Sequence, residues 1–200
     1  MASIVGTAGD DTINVNPNLE LRGTAGDDTI RALGGDDWIW ATGGSDLLDG
    51  GSGTDVVFYE GVDASLTVDN TSTTGTVVKA GVGTDTLVDI ERLHGSNRDD
   101  VITTRAVEGA NVFDRAGDDS VTAVGDVHFR FVAGSGDDTF VGGTGSDVVS
   151  YRNGDSDGAG PKVQGIVADI AAGSIIDPWG DTDTIISVEE IEGSQFDDSI

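Results

Sequence analysis

Between Gly23 and Phe58 one nine-residue phrase runs four times without a gap: GTAGDDTIR from Gly23, ALGGDDWIW from Ala32, ATGGSDLLD from Ala41 and GGSGTDVVF from Gly50. Position four is always glycine (Gly26, Gly35, Gly44, Gly53), and position six is always aspartate (Asp28, Asp37, Asp46, Asp55). Position eight is always a large aliphatic (Ile30, Ile39, Leu48, Val57). A fixed period of this kind marks a repeat architecture, because one copy alone has nothing to bury its aliphatic against. Glycine accepts positive φ and lets carbonyl oxygens crowd together, so positions one to six read as a tight turn. Positions seven to nine, such as Thr29-Ile30-Arg31, alternate polar, apolar, polar, as a very short strand with one inward residue does. Two phrases then make one rung of a flattened coil, with the first and third phrases stacked on one edge and the second and fourth on the other.

Stacked strands lie about 4.8 Å apart, while a calcium–oxygen bond is about 2.3–2.6 Å. An ion between two stacked turns would therefore reach the position-six carboxylates of both, and glycine-rich backbone carbonyls would complete its oxygen shell. Magnesium fits less well, since it requires a small octahedron and keeps its water.

The phrases resemble the G-G-x-G-x-D-x-U-x nonapeptide of RTX (repeats-in-toxin) proteins. The resemblance implies an all-β fold, a calcium-bound parallel β-roll or β-solenoid. It also implies a secreted, extracellular or cell-surface location, reached through a type I secretion channel by a chain that stays unfolded in a low-calcium cytosol and folds outside.

Composition agrees with conditional order. The chain has 37 acidic and 10 basic residues, for a net charge of −27. Such a field makes nucleic acid and anionic membranes poor partners. It also repels itself until cations arrive, and the thin, glycine-rich rungs return little apolar burial, so folding is expected to be coupled to metal. Cysteine is absent, which excludes disulfides and thiolate metal sites. No segment is apolar enough to span a bilayer, and the first residues do not read as a cleavable signal peptide. The last repeat breaks off at GSQFDDSI, as expected of a fragment.

Along the chain, GTAGDDTIN from Gly6 is a full repeat with Asp11 at position six and Ile13 at eight. The eight residues VNPNLELR follow as a degenerate half-rung, which would keep Gly6 and Gly23 on one edge. After Phe58 the phrase dissolves into strand-like stretches until Gly95, where GSNRDDVIT keeps Asp100 but has Arg98 in the glycine place. DRAGDDSVT from Asp114 restores Gly117 and Asp119, AGSGDDTFV gives Gly136 and Asp138, and GGTGSDVVS gives Gly145 and Asp147. GTDVVFY and DTLVDIERLHGSNRDDVI return later as GSDVVSY and DTIISVEEIEGSQFDDSI, an internal duplication. Four segments follow: 1–58, a repeat block; 59–94, wider strand-rich rungs; 95–150, a second, partly degenerate block; and 151–200, a second set of wide rungs re-entering a repeat.

The candidate metal residues are the position-six aspartates Asp11, Asp28, Asp37, Asp46, Asp55, Asp119, Asp138 and Asp147. With them go the position-four glycines Gly26, Gly35, Gly44, Gly53, Gly117, Gly136 and Gly145. Asp100 and Asp198 keep the place in turns that lack the glycine. Position-five residues such as Asp27 and Asp36 are expected to offer only carbonyls, their side chains facing water. Asn153 to Gly158 resembles the opening of an EF-hand loop, but Gln164 stands where a bidentate glutamate is required, and the reading as a polar loop is favoured. Gly154 to Gly158 also matches G-x-S-x-G without the strand, helix and histidine of a nucleophile elbow. His94 and His128 read as surface residues. Trp38 and Trp40, with Val56 and Phe58 two phrases on, form an outward apolar patch. Either segment 59–94 folds back over it or it contacts a partner or another copy of the chain.

No catalytic constellation emerges. The reading is a calcium-binding, non-catalytic repeat module of a secreted bacterial protein with a structural or adhesive role and an unidentified protein or cell-surface partner. The alternative is the repeat region of a secreted enzyme (protease, lipase or polysaccharide-modifying enzyme) whose catalytic domain lies elsewhere. A flat ice- or carbohydrate-binding face would need an outward row of like residues, and position seven is too mixed for that.

Overall fold

The computed structural model describes residues 2–9, 11, 21–152 and 161–200. Among these there is no helix, and the strands form two sheets. In the first repeat block the short strands are β1 (Ser3–Val5), β2 (Leu21–Arg22), β3 (Thr29–Arg31), β4 (Trp38–Trp40), β5 (Leu47–Asp49) and β6 (Val56–Phe58). Odd-numbered members pair in parallel in one sheet and even-numbered members in the other, with Ile30 beside Leu48 and Ile39 beside Val57. The rung is therefore eighteen residues, two phrases long, as the period requires.

The first wide segment supplies β7 (Leu66–Asn70), β8 (Thr74–Lys79) and β9 (Gly83–Val88), whose strict alternation of buried and exposed residues lets them be longer. They form an antiparallel meander spliced into the first sheet: β9 lies parallel to β5, and β7 lies parallel to β11 (Val101–Arg105). The roll resumes through β10 (Arg92–His94), β11, β12 (Asn111–Phe113), β13 (Ser120–Val124), β14 (Arg130–Val132), β15 (Thr139–Val141) and β16 (Val148–Ser150). A second meander of β17 (Val167–Asp169), β18 (Ser174–Ile176) and β19 (Thr182–Ile186) joins β15, and β20 (Glu190–Glu192) ends the second sheet. This is a parallel β-roll with two antiparallel splices.

The core is one residue thick on each side. Ile30, Leu48, Leu87, Ile102, Val121 and Phe140 from the first sheet face Leu21, Ile39, Val57, Leu93, Val112, Phe131 and Val149 from the second, all buried. Late in the roll the inner residues become aromatic, and Phe131 meets Phe140 across the sheets at 5.5 Å between ring centroids.

Two expectations are corrected. Gly6 and Gly23 lie on opposite edges: the turn after β1 stacks on the turn after β3, with the Asp11 N–H donating to Asp37 at 2.6 Å. Ser3 pairs with Thr29, twenty-six positions on, against the eighteen between Thr29 and Leu47, and the last two residues of VNPNLELR, Leu21 and Arg22, are β2. The stretch has neither the glycine nor the aspartate that builds a turn. Ile13 lies outside the described residues. The strands β7, β8 and β9 of segment 59–94 do not cover the tryptophans, because they are hydrogen-bonded into the first sheet while Trp38 and Trp40 stand on the second, where the segment contributes only β10. The rings cover one another instead: Trp40 stacks on Phe58 at 5.2 Å, and Phe58, His94 and Phe113 continue the row.

Candidate functional site

Each turn delivers its position-six aspartate inward just before a strand, so stacked turns build columns of buried carboxylates. On the edge leading into the first sheet the columns are Asp28, Asp46 and Asp85, then Asp100, Asp119, Asp138 and Asp183. The N–H of each donates to Oδ1 of the next, at 2.8 and 2.9 Å in the first group and 2.6, 2.8 and 3.0 Å in the second. On the other edge Asp11, Asp37 and Asp55 stack the same way and Glu91 ends the run; later Asp147 is followed by Glu189. Gly26, Gly35, Gly44, Gly53, Gly117, Gly136 and Gly145 lie in the turns between. Five of them, Gly35, Gly44, Gly53, Gly117 and Gly136, hold positive φ.

Position-five aspartates do more than present carbonyls. Their side chains are exposed, yet Asp27, Asp36, Asp99, Asp118 and Asp137 each accept the N–H of the following rung at 2.7–3.0 Å. The inner and outer ladders therefore run with opposite polarity.

The second oxygen of the inner carboxylates divides them into two kinds. In Asp11, Asp28, Asp100 and Asp147, Oδ2 accepts the N–H of position two in its own turn (Thr7, Thr24, Ser96, Gly143) at 2.5–2.8 Å. In Asp55, Asp119 and Asp138, Oδ2 is buried and has no hydrogen-bond partner. Position two is left-handed at Gly51 and Arg115, which belong to the turns of Asp55 and Asp119. The charge consequences differ accordingly. Backbone N–H groups of Ala2 and Thr24 hold Asp28 down at about 2. Burial, reinforced by neighbouring carboxylates, pushes Asp55 up to about 7, Asp119 to about 9 and Asp138 to about 12.

The densest cluster joins Asp119 and Asp138 to Asp114, one oxygen of each lying within 4.8 Å of the others. Asp114 occupies position one, otherwise Gly or Ala, and its Oδ1 is held by the N–H groups of Arg115 and Gly134 at 2.7 and 2.6 Å. Sequence reasoning missed Asp114 because it sought acids at position six alone. It also missed Asp85, Asp183, Glu91 and Glu189, which lie outside the nonapeptides. The duplicated segments carried the signal: Asp85 and Asp183 occupy matched places, and each accepts a buried tyrosine hydroxyl, from Tyr59 at 3.1 Å and Tyr151 at 2.6 Å. The residues Asn153 to Gly158 of the EF-hand-like and G-x-S-x-G readings lie outside the described residues. His94 is half-buried, and burial between aromatic rings pushes it down to about 3.

The residues present fit a calcium ion. The donors are all oxygens, and three carboxylate oxygens at Asp55, Asp119 and Asp138 are buried without a partner, which only a bound cation or a proton would relieve.

No curated protein matches the chain. Among solved structures, the crystal structure of the extracellular lipase LipA from Serratia marcescens aligns over 94% of this chain and 38% of its own length, at 18% identity and a TM-score of 0.40. This chain thus spans well under half of that protein. The RTX calcium-binding nonapeptide repeat family matches residues 3–16, 22–57 and 130–156, in 4 copies. Over those segments the chain carries RTX calcium-binding nonapeptide repeats, and its described residues form a parallel β-roll.

Proposed function

We propose that calcium lies between successive turns along the carboxylate columns and that the module folds when it binds. The ligands would be Asp11, Asp28, Asp37, Asp46, Asp55, Asp119, Asp138 and Asp147, with backbone carbonyls of the glycine turns. The observation that carries this reading is the set of buried, unpartnered Oδ2 atoms of Asp55, Asp119 and Asp138. An ion would also offset the repulsion of a chain at −27. The module serves a structural or adhesive role outside the cell, and its folding is set by external calcium. No helix among the described residues is long and apolar enough to cross a membrane. The four-segment division fits this picture, since the two meanders occupy the second and fourth segments.

The test is far-UV circular dichroism during a calcium titration, with magnesium as control. A disordered spectrum is expected in chelator and a β-sheet spectrum with calcium alone. A β-sheet spectrum unchanged by chelator and calcium would overturn the coupling. Asp119→Asn is expected to weaken calcium binding at its site about tenfold or more, roughly 1.4 kcal/mol, by removing one ligand charge. Calorimetric titration would read this, with Asp27→Asn, on the outer ladder, changing affinity far less.

A further inference from the structure

Lys79 ends β8 in the first meander, and its side chain is fully buried. The ammonium group donates to the carbonyl of Thr42 at 2.6 Å, lies 2.6 Å from Oδ1 of Asp85, and lies 3.5 Å from Oδ2 of Asp46. Thr42 is position two of its turn, Asp46 is position six of the same turn, and Asp85 is the carboxylate stacked on Asp46 in the next rung. A backbone carbonyl with the carboxylates of two successive rungs is the donor set that an inter-turn cation would take. At this junction a nitrogen of the chain already sits among those oxygens.

The second meander differs at the matched position. Val77 pairs with Asp85 as Ile175 pairs with Asp183, and two residues farther along stand Lys79 and Asp177. Asp177 is buried as well, so the duplicated segments place opposite charges at this point. The second segment does hold a buried lysine, Lys162, but its ammonium group is hydrogen-bonded to the carbonyl of Tyr151 and lies over the ring of Trp179.

We propose that Lys79 is a resident cation. It fills the inter-turn position between Asp46 and Asp85, keeps metal out of that position, and lets the first repeat block close onto the first meander without calcium. Lys79 thereby decides which inter-turn positions take a divalent ion. Removing it exposes a latent calcium site made of Asp46, Asp85 and the Thr42 carbonyl. The inference rests on the inter-turn reading of the calcium sites.

The experiment is calorimetric calcium titration of the full chain and of Lys79→Ala, with circular dichroism in parallel. Lys79→Ala is expected to bind one more calcium ion than the parent and to need calcium more strongly for its β-sheet spectrum. The triple variant Lys79→Ala, Asp46→Asn, Asp85→Asn removes the charges together and is expected to gain no ion. An unchanged ion count in a folded Lys79→Ala chain would overturn the inference while leaving the inter-turn sites standing. So would a Lys79→Ala chain that stays unfolded at saturating calcium while the triple variant folds. A parent chain that binds no calcium would overturn the inter-turn reading and this inference with it.

Discussion

In chelator, lowering the pH from about 8 to about 6 stabilises the β-sheet form of this chain, the reverse of ordinary acid denaturation. The cause is the buried carboxylates. Asp119, Asp138 and Asp183 are pushed up to about 9, about 12 and about 8 by burial first and by neighbouring carboxylates second, Asp114 beside Asp119 and Asp138, and Asp177 beside Asp183. An acid whose pKa is raised by folding binds more protons folded than unfolded. Its contribution is fully present below the unfolded value of about 3.9 and is lost as the pH rises through the folded value. Two groups oppose the trend lower down. His94, held near 3, withdraws stability as the pH falls below about 6.5, and Asp28, held near 2, does so below about 3.9. Between about pH 6.5 and 4 the three acids outweigh His94, so the metal-free optimum falls near pH 4. The gain on acidification should be on the order of several kcal/mol, because each proton bound only by the folded chain adds about 1.36 kcal/mol for every pH unit of descent. Far-UV circular dichroism of the chelated chain across the pH range would measure it, the β-sheet signal growing as the pH falls from 8. Asp119→Asn with Asp138→Asn should flatten the profile, and calcium at pH 8 should replace the effect of acid. A chelated chain that is most stable at pH 8 would contradict this account.

Gly53→Ala is expected to disrupt stacking of the first block even at saturating calcium, costing about 3 kcal/mol or more. A Cβ built on Gly53 lies 1.9 Å from the carbonyl oxygen of Gly35 in the turn beneath, and its φ is +144°. Backbone cannot yield there without parting the turns, and the left-handed conformation adds its own strain. Gly26→Ala supplies the contrast, because the nearest atom to its Cβ is Thr24 Oγ1 at 3.9 Å and φ is not in the strained range. That variant should stay close to the parent in calcium-saturated thermal melts, separating the steric demand of a stacked turn from the mere presence of glycine in the phrase. Equal losses in the two variants would refute the steric reading.

Much of this was legible in the period itself. The large apolar residue at position eight fixed the inward residue of the short strands within the phrases, and the spacing of eighteen placed Ile30 beside Leu48 and Ile39 beside Val57. The inward aspartates at position six were equally plain, and Asp100 kept its place in the column although Arg98 replaces the glycine. What the period could not carry was anything contributed from outside it. Asp85 and Asp183 come from meander strands, Glu91 and Glu189 from the stretches that follow, and Asp114 from a position normally too small to reach the column. Nor could composition distinguish Asp28, whose second oxygen is capped within its own turn, from Asp55, whose second oxygen is not. That difference depends on the backbone at position two, which a repeat pattern averages away.

The direction of the inner ladder also sets a rule for how such a column starts and grows. The earlier rung always gives the N–H and the later rung always gives the carboxylate. Any residue can therefore open a column, and Ala2, Leu66, Phe129 and Ile166 do, donating to Asp28, Asp100, Asp147 and Asp198. Continuing one requires an acid in the newcomer. A roll built this way can be interrupted by a meander and restarted from a neutral residue, but it can be prolonged only by adding negative charge at its C-terminal side.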